Sequence, residues 1–125
     1  MANNKSVKKM TATASFVQAT DASSGTGAKT IADTMSIPIG AVVTACITVP
    51  SVSSNSGDNN ETGTITVGGI SVSAALNQAA MAAGNVNTDT LGGVTTTNAN
   101  IGLTVGTTAF SAGSMDIIIE YYLLD

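Results

Sequence analysis

Apolar and polar residues alternate along most of this chain with a period of two, the spacing of a half-buried β-strand. Met10, Ala12, Ala14 and Phe16 alternate with Thr11, Thr13 and Ser15, which predicts a strand over residues 10–20. A second strand is expected over 29–37, where Ile31 and Met35 are the main apolar side chains, before Pro38 and Gly40 punctuate the chain. Residues 42–49 predict a third, closed by Pro50. There Val43, Ala45, Ile47 and Val49 share one face, and Val42, Thr44, Cys46 and Thr48 share the other. Residues 21–28 and 51–61 read as loops. Across 62–73 the phase changes, with Ile65 and Val67 on odd positions and Ile70 and Val72 on even ones. Gly68-Gly69 sits at the switch, so a β-bulge or sharp bend is expected that keeps all four inward.

The alanine-rich run over 74–83 is the one helix candidate, with Ser73 as its cap and Gly84 as its stop. At ten residues it needs a packing partner. Residues 85–100 predict at most a weak strand near Val94, and Ile101, Leu103 and Val105 a clean half-buried one. Gly113 marks a turn. The strongest strand is the last, 115–124. Met115, Ile117, Ile119, Tyr121 and Leu123 form one face, and Asp116, Ile118, Glu120, Tyr122 and Leu124 the other. Apolar residues on both faces fit a central strand or a subunit seam. The seam residues expected are Ile118, Tyr122 and Leu124. Seven or eight short strands with glycine punctuation predict an all-β fold, a jelly-roll-like two-sheet β-sandwich with at most one short helix. An immunoglobulin-type Greek-key sandwich has the same strand count.

Composition sharpens the picture. The 125 residues are 43% hydrophobic but only 10% charged, against a usual ~25% charged. Phe16, Phe110, Tyr121 and Tyr122 are the only aromatics, so the core rests on Val, Ile, Leu and Ala. A core this light suits a chain that buries further area by assembly. All four lysines lie within the first 29 residues, and seven of the eight acids lie beyond them. That division predicts a basic arm over residues 1–9 and a single sandwich domain over 10–125. Lys5, Lys8 and Lys9 are the expected contacts to an acidic partner. The acidic body would repel nucleic acid, and no amphipathic basic helix or apolar span suggests a membrane. No apolar segment of signal-peptide type follows the basic start.

Candidate chemistry is sparse. There is no His, Arg or Trp. Cys46, the single cysteine, has no base to activate it and reads as a small buried hydrophobe. Residues 24–30 resemble a phosphate loop but lack the Gly-Lys junction. Asp58, Asn59, Asn60 and Glu61 place oxygen-bearing side chains in one loop without a calcium-loop spacing. Asn60-Glu61-Thr62 matches the glycosylation sequon by chance. Asp116 and Glu120 share a strand face, without the aromatics and Arg of a sugar cleft. No catalytic, cofactor-binding or metal-ligating residue is expected.

Three stretches carry a resemblance: Ile37-Pro38-Ile39-Gly40-Ala41-Val42-Val43, a turn into an apolar strand; Thr62-Gly63-Thr64-Ile65-Thr66-Val67-Gly68-Gly69-Ile70, a threonine-rich strand ending in glycines; and residues 112–122, a turn into a strand ending Glu120-Tyr121-Tyr122. In this order and spacing they resemble small jelly-roll virion proteins of tailed bacteriophages, of the capsid cement or decoration type. The resemblance spans most of residues 30–125. It implies a non-enzymatic protein, made in the host cytoplasm, on the outer surface of the capsid. It would bind the major capsid protein, stabilise the head and self-associate as a homotrimer or homodimer. A head-fibre or tail-associated receptor- or glycan-binding module is the alternative. Phe110, Tyr121 and Tyr122 would have to line its cleft.

Overall fold

The computed structural model describes residues 7–97 and 99–124, which form two antiparallel sheets packed face to face. The larger sheet contains β1 (Val7–Val17), β3 (Asp33–Thr34), β5 (Val42–Asn55), β8 (Asn87–Asp89), β9 (Gly93–Val94) and β11 (Ala112–Leu124). Its order is β3-β1-β11-β5-β8, with β9 also on β5. The smaller contains β2 (Gly27–Thr30), β4 (Ser36–Ile37), β6 (Thr62–Val67), β7 (Ile70–Ser71) and β10 (Ala99–Gly106). It runs β2-β10-β6-β7, with β4 on β10. The expected two-sheet β-sandwich is therefore the observed one, and one helical turn, α1 (Gln18–Asp21), is its only helix among the described residues.

The period-two pattern places the core. Ala12, Ala14 and Phe16 of β1 face Ile119, Ile117 and Met115 of β11 in register, and all six are buried. Ile65 and Val67 of β6 lie beside Leu103 and Ile101 of β10 and meet them from the other sheet. Phe16 and Phe110 make the one aromatic pair, edge to face, with ring centroids 5.9 Å apart. β1 begins at Val7, earlier than the alternation suggests, and stops at Val17. There the Asp21 carboxylate accepts the Val17 and Ala32 N–H groups at 2.9 and 3.0 Å.

Several expected elements differ. The strand predicted over 29–37 is three pieces, β2, β3 and β4, pairing with β10, β1 and β10 respectively. The chain crosses between the sheets there, so one apolar pattern serves two of them. β5 does not stop at Pro50 but continues to Asn55. A register shift beside Pro50 leaves Ser51 as an extra residue, and a bulge is where a strand tolerates proline. Gly113 lies within β11 rather than in a turn, at φ +131.

Gly68 and Gly69 make a two-residue hairpin turn, both with positive φ, so that Val67 pairs with Ile70. The chain reverses there and the phase changes with it. Ile65, Val67 and Val72 are buried, and Ile70 packs against the core.

The run over 74–83 is not a helix. Leu76 exchanges both backbone hydrogen bonds with Gly63, at 2.8 and 2.9 Å. Ser73 Oγ accepts the Ile65 N–H instead of capping. The side chains of Asn85 and Asn87 donate to the Ala79 and Ala80 carbonyls, and only isolated turn bonds, Met81 to Asn77 and Ala82 to Ala79, remain. Pairing with β6 overrides a propensity too short to stand alone.

The largest departure lies in β5. Ala45 pairs with Glu120 but Val43 pairs with Tyr121, leaving Thr44 as an extra residue. Its hydroxyl donates to the Glu120 carbonyl at 3.3 Å. The bulge reverses the phase. Val43 faces the core, but beyond it Cys46, Thr48 and Pro50 do, while Ala45, Ile47 and Val49 turn outward and are only half-buried. Thr48 Oγ1 is left buried without a hydrogen-bond partner.

Two predictions follow from this core. Phe16→Ala removes half of the aromatic pair from a buried site and should cost about 3–5 kcal/mol in denaturant unfolding. Burial first, then the nearby Asp89 carboxylate, push the Cys46 thiol up from 9.0 to about 12. The folded protein therefore holds a neutral, shielded thiol that a disulfide reagent labels only on unfolding. Because the folded value is the higher one, this contribution to stability is intact below pH 9. It falls as pH rises from 9 towards 12, where the unfolded thiol ionises first, and chemical unfolding across that range reads the decline.

Candidate interaction surface

No cleft or cavity opens among the described residues, so functional chemistry must be sought on the faces of the two sheets. The smaller sheet presents an uncharged, hydroxyl-lined face. On it Thr62, Thr64 and Thr66 of β6 lie opposite Gly106, Thr104 and Gly102 of β10. The Thr62 and Thr66 hydroxyls occupy the space that a Cβ at Gly106 or Gly102 would need.

The larger sheet has a different outer face. Ile118 of β11 stands opposite Ile47 of β5, and Tyr122 opposite Val42, which in turn faces Val94 of β9. Val49 faces Asp116. Ile47, Val49, Ile118 and Tyr122 are half-buried by one another, and Val94, Val52, Val7 and Leu124 at the rim are each more than half exposed. The result is a nearly continuous apolar stripe over the middle of the sheet. Its acids are Asp116, held by the Ser15 hydroxyl at 2.9 Å, and Glu120. A stripe of this kind is a candidate interaction surface.

The expected seam residues fall on this face: Ile118 and Tyr122 at its centre and Leu124 at one end. Lys9 lies directly opposite Tyr122 on β1, and Lys8 opposite Leu123. Register therefore joins an expected partner contact to an expected seam residue. Both lysines are exposed, and Lys5 lies outside the described residues. Alternation groups Ile47 and Val49 with Val43 and carries no sign of the Thr44 bulge, which turns Val43 inward and the other two outward.

The remaining candidates are occupied structurally. Glu61 is buried, accepting the Ser54 and Ser56 hydroxyls at 2.8 Å each. Asp58 accepts the Asn60 N–H and the Thr108 and Ser56 hydroxyls, which hold its carboxyl below the usual carboxylate range, the Asn60 bond most strongly. No cluster of three ligating side chains forms among the described residues. Lys29 Nζ donates to the Ser24 carbonyl at 2.6 Å, closing its loop on itself. Of the three aromatics that a glycan cleft would use, Phe110 and Tyr121 are buried, leaving Tyr122 alone. No helix among the described residues is long and apolar enough to cross a membrane.

No family model and no curated protein matches this chain. Solved structures do. A chain in the acidic stable capsid structure of Helicobacter pylori bacteriophage KHP30 superposes with a TM-score of 0.63 at 13% identity, covering 96% of this chain and 94% of that one. A chain in the capsid asymmetric unit of cyanophage Pam1 superposes with a TM-score of 0.57 at 18% identity, covering 98% of this chain and 89% of that one. At these identities the likeness is one of fold. It runs nearly end to end in both molecules, and both are chains of phage capsid structures.

Proposed function

We propose that this chain is a non-enzymatic structural protein of a tailed-phage virion, a capsid cement or decoration protein that binds the major capsid protein and stabilises the head. The observation that carries the reading is the nearly end-to-end fold likeness to chains from two phage capsid structures. The strand order supports the jelly-roll form of that fold. Counted as eight strands along the chain (β1, β2, β5, β6, β7, β8, β10, β11), one sheet runs first-eighth-third-sixth and the other second-seventh-fourth-fifth. That is the wrapping of a jelly roll, a fold common in viral capsids.

The apolar face around Ile118, Tyr122 and Leu124 is the self-association seam of a homotrimer or homodimer, the closed forms natural to identical subunits. Residues 1–9 form the basic contact segment, with Lys8 and Lys9 meeting an acidic partner on the outer surface of the capsid. The last three residues of that segment are already paired with β11 as the start of β1, so it leads directly into the sandwich. A subunit that binds the assembled shell and not its opened form stabilises the shell by mass action. Among the described residues no cleft and no aromatic platform favours the glycan-binding alternative.

Cosedimentation with capsid shells lacking this protein tests the reading. Saturable binding at a fixed ratio to the major capsid protein, with a raised shell melting temperature, is the expected result, and a chain that leaves the shells in the supernatant overturns it. Light scattering should give an oligomer for the free protein. Ile118→Lys should reduce it to a monomer with an unchanged far-UV spectrum, because the site is only half-buried in the single chain.

A further inference from the structure

The outer edge of β1 is covered along only part of its length. β3 pairs with Ala14 and Ser15, and the Met35 N–H donates to the Thr13 carbonyl at 2.9 Å. The ladder ends there, where the Met35 sulfur, not a carbonyl, accepts the Thr13 N–H at 3.4 Å. In an antiparallel strand the backbone groups of alternate residues point to the same side. Thr13 therefore fixes the parity: the N–H and C=O groups of Val7, Lys9 and Thr11 also point to this edge. Among the described residues no strand pairs with them. They form a template for an added strand. Lys8 and Lys9 stand exposed on either face of it, beside the partly exposed Val7 and Met10.

We propose that an extended, acidic segment of a partner chain adds to this edge, making β1 an interior strand. The inference rests on the capsid-binding reading for the partner's identity. Charge selects the occupant. The stretch carries two adjacent lysines and no acid of its own. The acids beside β1, Glu120 opposite Thr11 and Asp116 and Asp33 opposite Ser15, lie toward its other end, so an acidic segment is drawn to the Lys8–Lys9 end. A second copy fits poorly. Pairing two β1 edges antiparallel so that all three open residues are used sets Val7 against Thr11 and Lys9 directly against Lys9, and like charges directly opposite are destabilising.

Thr11→Pro isolates the backbone contribution. The Thr11 N–H points away from β11, so proline removes an edge donor without breaking the β1–β11 ladder. The full-length chain is followed by amide hydrogen exchange with a synthetic hexapeptide of alternating glutamate and valine, and with its lysine–valine counterpart. The acidic peptide should slow the Val7, Lys9 and Thr11 amides by roughly tenfold. The basic peptide should not, and Thr11→Pro should abolish the effect with its melting temperature unchanged. Protection by neither peptide, or by both equally, overturns the inference. In parallel, Thr11→Pro and Lys9→Glu should each weaken binding to the capsid shells by about tenfold. Shell binding by Thr11→Pro equal to that of the parent chain overturns strand addition and leaves the capsid reading standing. Protection by the acidic peptide without shell binding by the parent chain does the reverse.

Discussion

The pairing of β5 with β11 is the constraint on which the rest of this structure depends. These two strands are the longest and lie side by side at the middle of the larger sheet; β1 pairs with β11, β8 and β9 pair with β5, and β3 joins through β1. β11 is regular in its outer half and puts Met115, Ile117, Ile119 and Tyr121 into the core. β5 accommodates it only through register shifts at Thr44, at Ser51 and between Val52 and Asn55. A side-chain period of two means that one extra residue exchanges the two faces of everything after it. The Thr44 bulge therefore decides that Cys46 and Thr48 are core residues and that Ile47 and Val49 are surface residues.

That exchange has a cost visible in the structure. The inward face of β5 carries a thiol, an unpartnered hydroxyl and a proline ring, while the outward face carries alanine, isoleucine and valine. A chain that folded only to be a stable monomer would gain by the opposite arrangement, since apolar area removed from water contributes about 25 cal/mol per Å² and a buried hydroxyl without a partner is unfavourable. Ile118 and Tyr122 add to the same outward stripe from β11. On the proposed reading the stripe is the part of the core that two or more subunits complete together. The light interior, with its single aromatic pair, and the apolar exterior are then one feature.

Much of the fold was legible in the sequence because alternation is a local property. β1, β6, β10 and β11 were each visible, and with them the sandwich class. What was not legible depended on partners distant in sequence. Ile31, Met35 and Ile37 read as one strand because nothing local tells that β3 joins one sheet and β2 and β4 the other. The alanines of 74–83 read as a helix because the Leu76–Gly63 exchange and the asparagine side chains that take the local carbonyls lie outside the alanine pattern. The surface was half legible. The doubled apolar face of β11 pointed to Ile118, Tyr122 and Leu124, but alternation joins Val43 to Ile47 and Val49 on one face of β5, and the Thr44 bulge separates them.

The fold also engages several of the groups that the sequence offers as candidate chemistry. Glu61 accepts two serine hydroxyls under the end of β5, Asp58 accepts from its own loop and from Thr108, Asp116 accepts from Ser15, and Cys46 is sealed behind the bulge. What stays unspent is of a different kind: an apolar stripe, a flat face of threonines, and three residues' worth of free backbone beside two lysines. On the proposed reading they meet extended and flat partners, other strands and other sheets.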